Sequence, residues 1–293
     1  MELELTNKVT GQRIQLLSEN KDFIIQKVDF GQVKGRHSTT QYINLVGSEI
    51  DATVLGTRDI SIKGTVCSSA ANNLAEKKSR LNRLINPRHD LIISIGKYQI
   101  KARPDSSIKY GVGYQENNNL FCEFLISCSA YEPVFKRINE EVFYYSSANK
   151  VPLFPLIIPK SKGICFGKIS SISTKNVPND GDIETGFVVR FIADEGGVTN
   201  PKITNNKTGK FIEVIVNMLK DDIVELSTVT GNKHVKFIRG NTETDIFKLV
   251  SKKSTMSMTL NTGVNDIAIT AARNASNLNN IIKFTPLYLE VQE

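Results

Sequence analysis

The sequence of 293 residues has no tryptophan, only three histidines and only four cysteines. Each scarcity removes a class of function. A sugar ring is most often held against an exposed aromatic face, and without tryptophan that platform is left to tyrosine and phenylalanine. His37, His89 and His234 have no second histidine, cysteine or carboxylate at ligand spacing, so no metal site is expected. Cys122 and Cys128 are separated by five residues, which fits neither a zinc knuckle nor a redox pair. With Cys67 and Cys165 they read as reduced, buried thiols of a protein made in a cytoplasm. No apolar run approaches the roughly 20 residues that cross a bilayer. The first residues, "MELELTNKVTG", alternate and are acidic, as in a strand rather than a signal peptide. A soluble chain with no cleaved export signal and no membrane insertion is expected.

Blocks of like charge are also missing. Thirty-seven Lys and Arg against thirty Asp and Glu leave a net charge of +7, but the two signs are interspersed along the chain. Specific nucleic-acid binding is therefore not expected. Catalytic signatures are absent too: there is no G-x-S-x-G, no P-loop and no H-E-x-x-H. "GVGY" at Gly111 to Tyr114 lacks the third glycine of a dinucleotide loop and reads as a turn. The carboxylate pairs Asp221-Asp222, Glu140-Glu141 and Asp194-Glu195 sit beside Lys, Gly or Asn and read as solvated turns. Neither an enzyme nor a cofactor is expected.

What is present is mostly strand. "RIQLLSE", "FIIQKVDF", "QYINLVG" and "RDISIKGTV" are rich in β-branched and aromatic residues and bounded by turn formers. "LIISIGKYQIKARP" predicts a hairpin with Gly96 supplying the positive φ of the turn. In "LFCEFLISCSAYEP", Cys122, Phe124, Ile126 and Cys128 form the more apolar face. Residues 139–162 carry Pro152, Pro155 and Pro159 and read as an extended connector or edge segment. Beyond residue 163, short strands alternate with turns such as "NNKTG" and "NTGVND", the pattern of a β-sandwich whose aromatics, Tyr288 among them, read mostly as core. The fold class expected is mainly β. A small N-terminal barrel carries one packed helix and a hairpin over 1–140, a proline-containing connector spans 141–162, and a sandwich covers 163–293.

The helix is "NNLAEKKSRLNRLINP". Asn73 and Glu76 are spaced as a capping box, and Asn86-Pro87 ends the run. Leu74, Leu81, Leu84 and Ile85 fall on one side, while Glu76, Arg80 and Arg83 fall on the other. Glu76 is placed to pair with Arg80 one turn on. So mixed a polar face suits neither a DNA-reading helix nor a membrane-surface helix. A helix packed over a barrel remains.

The order "RDISIKGTV", "LNRLINP", "LIISIGKYQIKARP" and "CSAYEPVF" resembles that of phage distal tail proteins, with Leu81, Leu84, Pro87, Tyr98, Tyr131, Glu132, Pro133 and Phe135 as landmarks. "PKITNNKTGKFIEV", "DDIVELSTVTGNKHVKF", "NTGVNDIAIT" and "IIKFTPLYLEV" are similar, in order, to that family's galectin-like sandwich. The resemblance implies a virion structural protein at the tail tip, assembled in the bacterial host cytoplasm. Its N-terminal domain would be a belt that closes into a homo-hexameric ring continuing the tail tube. Its partners would be the tail tube protein, the tail-associated tip protein, and receptor-binding or other baseplate proteins supported by the sandwich. Glu76, Arg80 and Arg83 are then candidate subunit-interface residues. The chain departs from true galectins in lacking their Trp and their run of sugar ligands. A carbohydrate-binding sandwich recognising cell-surface glycans is the alternative reading, and a sandwich hydrolase a more distant one.

Overall fold

A computed structural model describes residues 2–18, 22–43, 46–68, 71–146, 148–149, 168–169 and 173–291. The expected prolines and Cys165 between 150 and 167 lie outside the described residues. The chain divides into two compact units, residues 1–138 with 288–293, and residues 139–287.

The first unit contains β1 (Glu2–Asn7), β2 (Arg13–Leu17), β3 (Phe23–Asp29), β4 (Gly35–Thr40), β5 (Glu49–Leu55), β6 (Arg58–Cys67), α1 (Ala71–Leu84), β7 (Leu91–Ile95), β8 (Tyr98–Pro104), β9 (Lys109–Tyr110), β10 (Phe121–Ala130) and β11 (Phe135–Arg137). Seven of these close a barrel in the order β8-β7-β1-β2-β3-β6-β10, and β10 returns to β8 through Cys128 opposite Pro104 and Ser129 opposite Arg103. Burial alternates along β1, β7 and β10 as a two-residue side-chain period requires, and breaks in β3 at a bulge between Ile25 and Lys27 and in β6 at Gly64 to Val66. In β10 the inward set includes Cys122, Phe124, Ile126 and Cys128, the face that the sequence marks as apolar. Leu3, Leu5, Ile60, Ile62, Ile93 and Ile100 meet them from the other strands.

Two glycines are required by this closure. Gly96 turns the β7–β8 hairpin at φ 52°, as expected from its sequence context. Gly64 faces the interior, where a Cβ would stand 2.6 Å from both the Phe124 ring and the Ile24 carbonyl oxygen. α1 covers the barrel against β2 and β6, with Leu74, Leu81, Leu84 and Ile85 in the same core. The helix is already under way at Ala71, so Asn73 lies inside it and does not cap it.

One strand assignment changes. In "QYINLVG" the described residues, 41–43 with Val46 and Gly47, are not in a strand; they lie between β4 and β5, which make a two-stranded sheet of their own. Apolar content alone marks the stretch as a strand, but its described apolar residues Tyr42, Ile43 and Val46 are exposed.

The second unit begins at β12 (Glu141–Ser146) and continues through β13 (Ala148–Asn149), β14 (Lys168–Ile169), β15 (Ser173–Asn179), β16 (Phe187–Ala193), β17 (Val198–Asn205), β18 (Phe211–Glu213), β19 (Asn217–Met218), β20 (Ile223–Ser227), β21 (His234–Arg239), β22 (Thr242–Asp245), β23 (Gly263–Arg273) and β24 (Leu278–Phe284). One sheet runs β12-β24-β16-β20-β21-β22; the other runs β15-β23-β17-β18, with β19 on β17. Phe187, Phe191, Leu226, Val235 and Phe284 of the first sheet share a core with Val177, Ile203, Ile212, Ile267 and Ile269 of the second, which makes a sandwich. β12 falls in the stretch read as connector or edge segment, and it is an edge strand: Glu141 to Ser146 pair with Phe284 to Asn279 across a regular antiparallel ladder. The prolines that suggest a connector start six residues after this strand ends.

β25 (Leu287–Tyr288) leaves the sandwich and joins the first unit's sheet beside β11. Tyr288 therefore belongs to the first unit and not to the sandwich core. Asp222 also departs from its expected solvated turn. It is buried, accepts from the Leu219 amide at 2.6 Å, and takes Arg239 Nε and Nη2 at 2.8 and 2.6 Å.

Candidate subunit interface

The outer face of α1 is built as its helical spacing dictates. Positions 76, 80 and 83 lie three and four residues apart and share one exposed strip. Glu76, Arg80 and Arg83 line an open groove with Asp22, Asn73, Lys77 and Ser79. Within it Lys77 Nζ is tied to Asp22 Oδ1 at 2.7 Å and to the Cys67 carbonyl at 2.8 Å. Arg80 Nη2 turns to the Arg13 carbonyl at 3.4 Å instead of pairing with Glu76. Arg13 in turn stands 3.6 Å from Glu4 on β1. The strip thus presents charged ends that the chain's own carboxylates neutralise only weakly. Burial pushes the Cys67 thiol up, against the pull of the Lys77 charge.

A second exposed feature stands out of the first unit. Every residue of β4 and β5 is exposed. The strands are held by cross-strand bonds, His37 Nδ1 with Thr53 Oγ1 at 2.9 Å and Thr40 to Asp51 at 2.6 Å. The Gly56 amide closes the base on the Lys34 carbonyl at 2.7 Å. At roughly 3.3 Å per residue, strands of this length extend about 20 Å. The hairpin exposes Tyr42, Ile43, Val46, Ile50, Val54 and Leu55, and Ile43 and Val46 are fully solvated at 103% and 106%. An isolated two-stranded hairpin is marginal in water, and an apolar one invites a covering surface. Sequence reasoning missed this arm. The alternation in "EIDATVL" was its one signal, and the polar "GRHSTT" hid the partner strand.

An ion cluster of the sandwich joins β16, β20 and β21. Glu225 receives Arg190 Nε at 2.6 Å and lies 3.1 Å from His234 Nε2. Burial raises the Glu225 carboxyl, but the hydrogen bonds to His234 and Arg190 outweigh it and hold the group below the usual carboxylate range. A glycosidase acid needs the opposite shift, so this cluster is not arranged for that chemistry. Among the described residues no group of three or more His, Cys, Asp or Glu could hold a metal ion, and no helix is long and apolar enough to cross a membrane.

Residues 180–288 match the family model of the siphovirus-type tail component, C-terminal domain. The whole chain is similar in structure to the SPP1 Dit protein, described as a paradigm of the hub adsorption apparatus in phages infecting Gram-positive hosts. That likeness has a TM-score of 0.67 at 15% identity and covers 97% of this chain and 98% of the other. It is also similar to a chain of the phage P2 baseplate in its activated conformation with Ca, with a TM-score of 0.50 at 10% identity over 98% of each chain. No curated protein sequence matches. The expected fold class, a mainly β chain with a barrel and a sandwich, is the one found. The resemblance to phage distal tail proteins holds in the sequence of the second unit and in the fold of the chain.

Proposed function

We propose, on the premise that this chain has the fold and the C-terminal domain of the phage distal tail proteins, that it is the hub of a phage tail tip. Six copies form a ring at the distal end of the tail tube. The tube protein docks on one side of the ring and the tail-associated tip protein on the other. The sandwich carries receptor-binding or other baseplate proteins. The chain acts by assembly rather than catalysis, is assembled in the bacterial host cytoplasm, and resides in the virion tail.

The observation that carries this reading is the β4–β5 arm. A closed barrel has few edges left for pairing, yet this one extends an apolar hairpin that its own domain leaves uncovered. In a ring of heterologous contacts, each arm lies on the next copy, and the last closes on the first. The net charge of +7 then sits outside the lumen or within interfaces, because a lumen densely lined with Lys and Arg would hold passing DNA. The test is Ile43→Asp with Val46→Asp, two fully exposed positions that the monomer's core does not use. Light scattering should show the hexamer replaced by a folded monomer. Hexamers that persist in the double variant would remove the arm from the ring contact.

A further inference from the structure

The first unit is not continuous in sequence. Its chain leaves at residue 138 and returns at 288, after the whole sandwich. The returning segment is held by several independent contacts. Tyr288 stacks edge-on against Tyr98 at 5.1 Å, takes a hydrogen bond from Arg137 Nη2 at 2.7 Å, and has that guanidinium 5.7 Å from its ring. Val291 packs against the first core. Arg58 donates through Nη2 to the Leu289 carbonyl and to Glu290 Oε1, the latter at 3.1 Å.

Arg58 is the unusual member. Its side chain is wholly buried, while Glu290 is 63% exposed. Its guanidinium lies 4.9 Å over the Phe135 ring, and its Nε and Nη1 have no hydrogen-bond partner among the described residues. A buried cation gains stability only from its partners, and among the described residues its polar ones, Leu289 and Glu290, come from the returning segment. Burial lowers its pKa, and Glu290 opposes that. Lifting the segment removes those partners and opens a path for water to Arg58.

We propose that residues 288–291 are a latch that closes one end of the first barrel, the end marked by Arg58 and Ala130, and that opens locally without unfolding the rest. One consequence follows from chain order alone. The first domain cannot finish folding during synthesis until the second has been made. This proposal does not rest on the ring reading.

Two buried thiols report on it from one strand. Cys128 lies opposite Ile60, two residue pairs from the Arg58–Ala130 pair. Cys122 lies on the same face, opposite Val66, roughly 20 Å further along. Both are buried, and burial pushes the Cys128 thiol up to about 12. Both therefore label only when the barrel opens. The full chain carrying Tyr288→Ala and Val291→Ala is compared with wild type by maleimide labelling, each cysteine being read in its own peptide by mass spectrometry. The latch predicts that Cys128 labels about tenfold faster, equivalent to roughly 1.4 kcal/mol, while Cys122 is unchanged. Equal acceleration at both thiols means global unfolding, and no acceleration at either means a passive tail; both results overturn the proposal.

Discussion

Asp222 shows how one residue can look solvated and be structural. In sequence it follows Asp221 and precedes a strand, and nothing nearby marks its partner, because Arg239 is 17 residues away on the next strand. In the fold it stops the β19–β20 turn by accepting the Leu219 amide and clamps that turn to β21 through the Arg239 fork. Asp222→Ala removes the carboxylate that accepts from both the Leu219 amide and the Arg239 guanidinium, and the cost is about 1–3 kcal/mol. Arg239, the Leu219 amide and nearby charge favour the ionised form over the opposing effect of burial, so the folded carboxyl titrates below its unfolded value. Its contribution is therefore complete above about pH 4 and is lost as pH falls through the lower, folded value. Chemical denaturation of wild type and Asp222→Asn from pH 7 to pH 3 should show a gap that narrows with acid. A gap that stays constant would mean that the carboxylate charge is not what matters. Arg80 and Arg83 belong to the same scale. We propose that they meet a carboxylate of a neighbouring copy, so Arg80→Glu with Arg83→Glu should lower the assembled fraction while leaving the monomer's circular dichroism intact. Full assembly of that variant would count against the proposal.

Elements were legible where local rules and tertiary needs agree. The two-residue alternation in β10 and the Gly96 turn both follow from the sequence, because each is decided within a few residues. The stripe on α1 likewise survives, although the helix starts earlier than its capping signal suggests. What the sequence leaves open is decided by a distant strand. The stretch read as connector or edge becomes an edge strand at β12 because β24, more than 130 residues later, offers it a partner. In the apolar "QYINLVG", read as a strand, the described residues pair with none. Closure of the barrel was invisible for the same reason, since it rests on β10 meeting β8 over two residue pairs. Gly64 tests the packing of the neighbouring strands β3, β6 and β10. A side chain there strikes the Phe124 ring and the Ile24 carbonyl at 2.6 Å, and backbone cannot retreat cheaply. Gly64→Val should destabilise the first domain by about 1–3 kcal/mol, measured as a lower denaturation midpoint for that domain. An unchanged midpoint would show that the seam between β3, β6 and β10 is slack.

At the scale of the molecule, the exposed arm and the charged helix strip are the surfaces on which the proposed assembly rests. The strip on α1 could be read from the sequence as a charged helix face, and as a candidate interface through the family resemblance. The arm could not, because exposure of an apolar hairpin is a property of what the fold leaves uncovered. The proposed ring would tie these surfaces together and is the central claim. Light scattering on the purified full chain across rising concentration, with negative-stain images of the same samples, tests it most directly. The account predicts particles of six times the chain mass with six-fold symmetry and a central hole. A monomer, a dimer or an open filament at every concentration would contradict it.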